Sequence, residues 1–246
     1  MVIEDESHLN SLLEAISNPQ ECLQSLSITL LHTTKSELHE CLRSVVSLTL
    51  GTKHSGSELK RFEPPKHLKS LSISGTARTE RLLPLLARGA NPPNADVKLE
   101  QLNKVTLNNT LLIEDDWDVL AKLKMLGWLK LRDIGCTDGS LTFKKNEFLN
   151  LSYFHVEGTY KQSDSSKLTK ITFDNGASLN LKKIVISQTS IESICGMDKL
   201  PQLREFNGDI DSNGLQEVID TLKNKRRDFV SKPYNAGRNQ SQTMGE

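Results

Sequence analysis

Six residues stand out for what their types and spacing could do together: Trp128, Lys130 and Arg132 on one stretch, and Tyr153, His155 and Glu157 on another. Leu129 and Leu131 alternate with the first three, Phe154 and Val156 with the second. On a strand such alternation puts each set on one face. Trp and Tyr are large and amphipathic and Arg pairs bidentately, and these types carry most of the energy at protein interfaces. The matching positions earlier in the chain, among them Ser25, Ser27, Ser47, Ser70, Ser72 and Ser74, are small and carry little. The six residues are therefore a candidate protein-binding patch. An alternative reading packs Trp128 on a neighbouring strand or flanking loop.

Other motifs offer less. Gly51 to Gly56 has the glycine spacing of a phosphate loop, but Ser57 stands where the phosphate-reaching Lys is needed. His39-Glu40 opens like a zinc-protease helix, with Arg43 in place of the second histidine ligand. The cluster Glu114, Asp115, Asp116 and Asp118 reads as a helix start favoured by the macrodipole rather than as a hard-cation site. Lys223 to Arg227 reads as the solvated end of a helix rather than a nuclear-import signal. We assign no catalytic residue, metal ligand or cofactor-binding residue, and expect no enzyme activity.

What must position the patch is a recurring frame. Leu68, Leu71 and Ile73, closed by Thr76, return as Leu102 to Thr110, Leu151 to Thr159 and Leu181 to Thr189. Looser copies begin at Leu23, Val45, Leu126, Leu168 and Leu203, which makes about nine irregular copies. Their starts lie roughly 13 to 34 residues apart, scattered about the length of a leucine-rich repeat. The expected fold is an α/β leucine-rich-repeat solenoid, with a curved parallel sheet on the concave face and short helices and loops on the convex face. The fourth and sixth frame positions face inward, and the residues between them line the concave surface. In chain order that surface reads Lys104, Thr106, Asn108, then Trp128, Lys130, Arg132, then Tyr153, His155, Glu157, then Lys170, Thr172, Asp174.

Residues 1–22 are expected to hold a lead-in helix, on the spacing of Leu9, Leu12, Leu13 and Ile16. The array then occupies 23–211. Return helices are predicted over Thr79–Arg88 and Asp115–Leu123, and a tight turn at Asp174-Asn175-Gly176 makes the segment from Leu168 strand-turn-strand. Leu215, Val218, Ile219 and Leu222 mark a capping helix within 212–230, and 231–246 is expected to be a disordered tail.

The chain has 246 residues, with 31 acidic and 31 basic side chains, so no global field draws a polyanion and no nucleic-acid partner is expected. The start lacks a basic and apolar leader, and no apolar run is long enough to span a bilayer. The four cysteines form no CxxC pair, reduced thiols are the default, and the expected location is cytoplasmic.

The Leu-x-x-Leu-x-Leu-x-x-Thr strands, the turn Phe173-Asp174-Asn175-Gly176-Ala177 and the stretch from Ile194 to Glu205 resemble the C-terminal leucine-rich region of plant disease-resistance proteins. The array is similar to the cereal coiled-coil members of that class, and the likeness spans nearly all of Ser7 to Val230. It implies a segment of an intracellular immune receptor that recognises a pathogen effector, or a host protein the effector modifies, and restrains the receptor's nucleotide-binding domain until then. The nucleotide-binding switch has no counterpart here, so ATP hydrolysis is not expected and no functional residue carries over by position. A second reading is the substrate-recognition half of a ubiquitin-ligase adaptor, and a third a protein-interaction scaffold.

Overall fold

The computed structural model describes residues 25–30, 46–52, 67–75, 87–88, 96–97, 99–158, 168–187, 191–208 and 213–233. The expected lead-in helix, and the expected return helix up to residue 86, lie outside the described residues. In chain order the strands are β1 (Ser25–Leu30), β2 (Ser47–Thr52), β3 (Ser70–Gly75), β4 (Ala87–Arg88), β5 (Asp96–Val97), β6 (Lys104–Asn108) and β7 (Leu111–Leu112). After helix α1 (Glu114–Ala121) come β8 (Trp128–Arg132), β9 (Gly135–Cys136), β10 (Ser140–Phe143), β11 (Tyr153–Glu157), β12 (Lys170–Phe173), β13 (Lys183–Ser187) and β14 (Ser193–Cys195). A short 3-10 turn at Met197–Lys199, β15 (Glu205–Gly208), helix α2 (Asn213–Lys225) and β16 (Val230–Lys232) complete the described chain.

The result is an α/β architecture of mostly parallel strands with few helices, compatible with a repeat solenoid. Nine strands form one sheet in the order β1-β2-β3-β6-β8-β11-β13-β15-β16. Every pairing in it is parallel, and the register brings equivalent frame positions level. Leu71, Val105, Leu129, Phe154, Ile184 and Phe206 make one inward row, each almost wholly buried. The first frame position, at Leu68, Leu102, Leu126, Leu151, Leu181 and Leu203, is buried as well.

Its inward turn has a backbone cause. At four successive entries the carbonyl of the residue just before one strand accepts two successive N–H groups at the start of the next. Lys69 O takes those of Asn103 and Lys104, Asn103 O those of Gly127 and Trp128, Gly127 O those of Ser152 and Tyr153, and Ser152 O those of Lys182 and Lys183. Sharing one acceptor rotates the chain between the two donors and delivers it into the next strand in register.

Behind this sheet lies a second layer, and it differs from the expected helices and loops. Besides α1, it holds a three-stranded parallel sheet β10-β12-β14 and the parallel pair β7-β9. The frame copy at Leu168, Ile171 and Phe173 is the strand β12 in this second sheet, so it is not a strand of the large sheet and Lys170, Thr172 and Asp174 do not join the patch surface. The reason is length. The chain from Leu168 to Leu181 is too short for an outward return and a new turn of the array, so β12 serves as the return between β11 and β13. The strand-turn-strand reading holds: the Ala177 N–H donates to Asp174 O, and Gly176 at φ 82° supplies the left-handed corner.

Three further expectations change. Ala87–Arg88, the expected end of a helix, pairs antiparallel with Asp96–Val97. Helix α2 is a return rather than a terminal cap, because β16 follows it and pairs with β15; Ser231 and Lys232, assigned to a disordered tail, are part of that strand. Within the basic run at the end of α2, Arg226 is half-buried, its guanidinium donating to the carbonyls of Leu200, Leu203 and Asp198 at 2.6, 3.2 and 3.3 Å. It therefore ties the helix end to the preceding turn instead of sitting in solvent.

Between the layers the core is aromatic. Phe143 touches Trp117, Phe148, Phe154 and Phe173 with ring centroids 5.0, 4.9, 5.0 and 4.6 Å away. Trp117, carried inward by α1, donates its indole N–H to Thr142 O at 2.8 Å. The acidic first turn of α1 sits where its dipole favours carboxylates, and Glu114 and Asp118 share the Lys144 ammonium at 3.1 Å each.

Candidate functional site on the open sheet face

With leucines and phenylalanines turned into the core, the alternate residues of β3, β6, β8, β11, β13 and β15 form three rows on the other face. The entry row runs Ser70, Lys104, Trp128, Tyr153, Lys183, Glu205. The middle row runs Ser72, Thr106, Lys130, His155, Val185, Asn207, and the exit row Ser74, Asn108, Arg132, Glu157, Ser187. All six candidate residues thus meet on two adjacent strands, Trp128 level with Tyr153, Lys130 with His155, and Arg132 with Glu157.

The aromatic pair is built as a platform. The rings of Trp128 and Tyr153 stack with centroids 5.2 Å apart and 2° between their planes, and both side chains stay half-buried. Strand spacing explains the contact, since level residues on neighbouring strands are about 4.8 Å apart. Lys104 places its ammonium 4.4 Å from the centroid of the Trp128 ring, on the side away from Tyr153's strand. Stacking contributes about 0.5–1.5 kcal/mol and the cation–π contact about 0.5–1 kcal/mol, enough to favour one orientation of the rings. The packing of Trp128 on a neighbouring strand and its place on an accessible surface thus coexist.

The charged members are arranged unequally. Lys130 pairs closely with Glu157, at 2.7 Å, and Lys183 with Glu205, at 3.0 Å. Arg132 approaches Glu157 and Asp133 only at 3.9 Å and remains 46% exposed. Burial alone would push the Glu157 carboxyl up, but the Lys130 hydrogen bond and the charges of Lys130 and Arg132 outweigh it and hold the group below its ordinary range. Glu205 behaves the same way beside Lys183 and Asn207.

His155 differs from its expected role. Only 6% exposed, it lies beneath the surface, with Nε2 3.1 Å from Ser187 Oγ and Nδ1 3.5 Å from Tyr153 Oη. It is a support for Tyr153 and not a contact residue. Burial, followed by the Lys130 charge, lowers its pKa from 6.5 to about 4 against the opposing pull of Glu157, with Lys183 adding to the depression. The folded chain therefore carries a neutral imidazole, whereas the unfolded chain takes up a proton as pH falls through 6.5. The unfolded state binds more protons between those values, so stability is full above pH 6.5 and is lost on acidification toward pH 4. The loss contributed by this group is expected to reach about 3 kcal/mol. Urea melts of the wild type and His155→Gln across that range should differ in slope, the variant losing less; parallel profiles would refute the assignment.

Lys183 joins the patch although it was not among the six expected residues, and Ser187, buried beneath the surface, supports His155. The same alternation that selects Trp128 would have found them, had Leu181 rather than Leu168 been placed beside the Tyr153 strand. Elsewhere, Cys136 is buried and its thiol is pushed up to about 12 by desolvation, with Asp138 adding to the shift, so it is not a reactive thiolate at neutral pH. No group of His, Cys, Asp and Glu among the described residues could hold a metal ion, and no helix among them is long and apolar enough to cross a membrane. Comparisons of the chain with family models, with curated proteins and with solved structures returned no match.

Proposed function

We propose that the chain is the ligand-recognition and autoinhibitory leucine-rich-repeat segment of an intracellular plant immune receptor, binding a pathogen effector or an effector-modified host protein in the cytoplasm. The observation that carries the recognition part is the stacked, half-buried pair Trp128–Tyr153, set among charged residues on the outward face of the large sheet. Rigid aromatic rings lose little conformational entropy on binding and dominate interface energetics, so this is where a partner would gain most. The immune part rests on the resemblance of the repeat frame and of the stretch from Ile194 to Glu205 to cereal receptors. The leucine-rich-repeat assignment rests on that resemblance together with the one-strand-per-frame spacing of eight of the nine copies.

The test is a binding screen of the chain against cereal-pathogen effectors, host proteins they modify, and the nucleotide-binding domains of cereal receptors. At least one is expected to bind, and Trp128→Ala or Tyr153→Ala should weaken it by more than about tenfold, the size of an interface hot spot. Variants that melt like the wild type and bind equally well would overturn the patch. Binding confined to ubiquitin-ligase components would overturn the immune reading.

A further inference from the structure

The chain is neutral as a whole, but its open sheet face is not. At the outward positions of the described strands stand five cations, Lys104, Lys130, Arg132, Lys183 and Lys232, against two carboxylates, Glu157 and Glu205. Close pairing neutralises Lys130 and Lys183 where they stand. The charge left to be answered is carried chiefly by Lys104, exposed over the Trp128 ring, and by Arg132, whose carboxylate neighbours are at 3.9 Å. Lys104 stands beside the aromatic platform, and Arg132 at the far end of the strand that carries Trp128. Lys104 is level with Trp128 at the start of β8 and Arg132 ends that strand, so the two lie roughly 13 Å apart along the strand direction.

We propose that this face takes an extended acidic segment of a partner protein, with carboxylates about four residues apart meeting Lys104 and Arg132 and the apolar side chain between them reaching back toward the Trp128–Tyr153 rings, which stand at the Lys104 end. The inference rests on the protein-recognition reading and specifies the chemistry of the partner. An extended chain repeats its side-chain direction every second residue, so acidic, apolar and acidic residues at alternate places present one face to the patch. A basic segment would meet uncompensated like charge, which disfavours it.

The probe is a fluorescein-labelled peptide, Glu-Ser-Leu-Ser-Glu, compared with Lys-Ser-Leu-Ser-Lys by anisotropy against the full chain. The acidic peptide is expected to bind about tenfold more tightly, with affinity falling as salt rises from 50 to 300 mM, as screening requires. Lys104→Gln with Arg132→Gln should weaken it about fivefold, while Lys124→Gln with Lys145→Gln, exposed on the returns, should leave it unchanged. The proposal is overturned if the two peptides bind alike, if the acidic one shows no binding at millimolar concentration, or if the return variant weakens it equally. Preference for a single-stranded RNA oligonucleotide, or self-association of the chain in place of peptide binding, also overturns it. Charge preference that survives in Trp128→Ala would leave the acidic chemistry standing and sink the aromatic platform. Loss in Trp128→Ala without charge preference would do the reverse.

Discussion

Leu129→Asp is expected to leave the array largely unfolded at neutral pH. Leu129 is wholly buried in the middle of the large sheet, level with Val105 on one side and Phe154 on the other. Removing the leucine costs about 2–5 kcal/mol, and placing a carboxyl there with no partner adds about 2–7 kcal/mol even if it takes up a proton. The sum rivals the roughly 5–15 kcal/mol that holds a whole domain together. Because each strand is closed over by its neighbours, the damage should spread to β6 and β11 first. Thr106→Asp, on the same sheet but facing outward beside Lys130, is the matched control and should stay within about 0.5 kcal/mol of the wild type. Circular dichroism and urea titration of both variants decide the matter. Equal melting would show that the inward and outward rows have been exchanged.

Phe143→Ala is expected to cost about 3–5 kcal/mol, the range for emptying an aromatic site in a packed core. Four aromatic rings surround Phe143, and each loses a close contact when it goes. Rings fixed by one another's edges cannot slide far into the gap, so little of the cavity should close. The near-ultraviolet dichroism should fall as well, since Trp117 loses the edge contact that orients it. The aromatic platform is on the other side of the sheet, so peptide binding measured well below the melting temperature should persist. A loss below about 1 kcal/mol would mean that the second layer is loosely packed and contributes little to stability.

Much of this layout was legible in the chain. The apolar fourth and sixth frame positions point inward because period-two alternation allows nothing else on a half-buried strand. That reasoning places Trp128 beside Tyr153 without any coordinates, and the rings are indeed stacked. It failed where the same alternation marks a strand but not the sheet it joins. Leu168, Ile171 and Phe173 fill the three apolar places of the frame just as Leu181, Ile184 and Ile186 do, although only the second copy closes on Thr, and only the second lies beside β11. Both strands bury one face against the same core from opposite sides, so their hydrophobic patterns are identical. The length of the connecting chain and the missing closing Thr, with Gly176 in its place, are what distinguish the Leu168 copy.

The burial of His155 was invisible for a different reason. A histidine at an outward position reads as exposed, but Tyr153, Lys130 and Ser187 around it are large enough or near enough to cover the ring. Conversely β16 carries almost no frame: Val230 is exposed, and its pairing rests on the backbone hydrogen bond from its own N–H to Arg204 O at 2.7 Å. Backbone pairing leaves no trace in side-chain type.

The shared-carbonyl entry joints bear on how such a chain could change over generations. Their two N–H donors and the shared acceptor are backbone atoms, with the Ser152 hydroxyl adding a third donor at Gly127 O, so they tolerate substitution at the residue that enters the strand. Lys104, Trp128, Tyr153 and Lys183 occupy the donor position at four successive joints, and four chemically unlike side chains are accepted there. Residues on the outward rows can thus be rewritten one at a time without disturbing strand register. A lineage facing a partner that itself keeps changing would find its variation on those rows, while the leucines behind them stayed fixed.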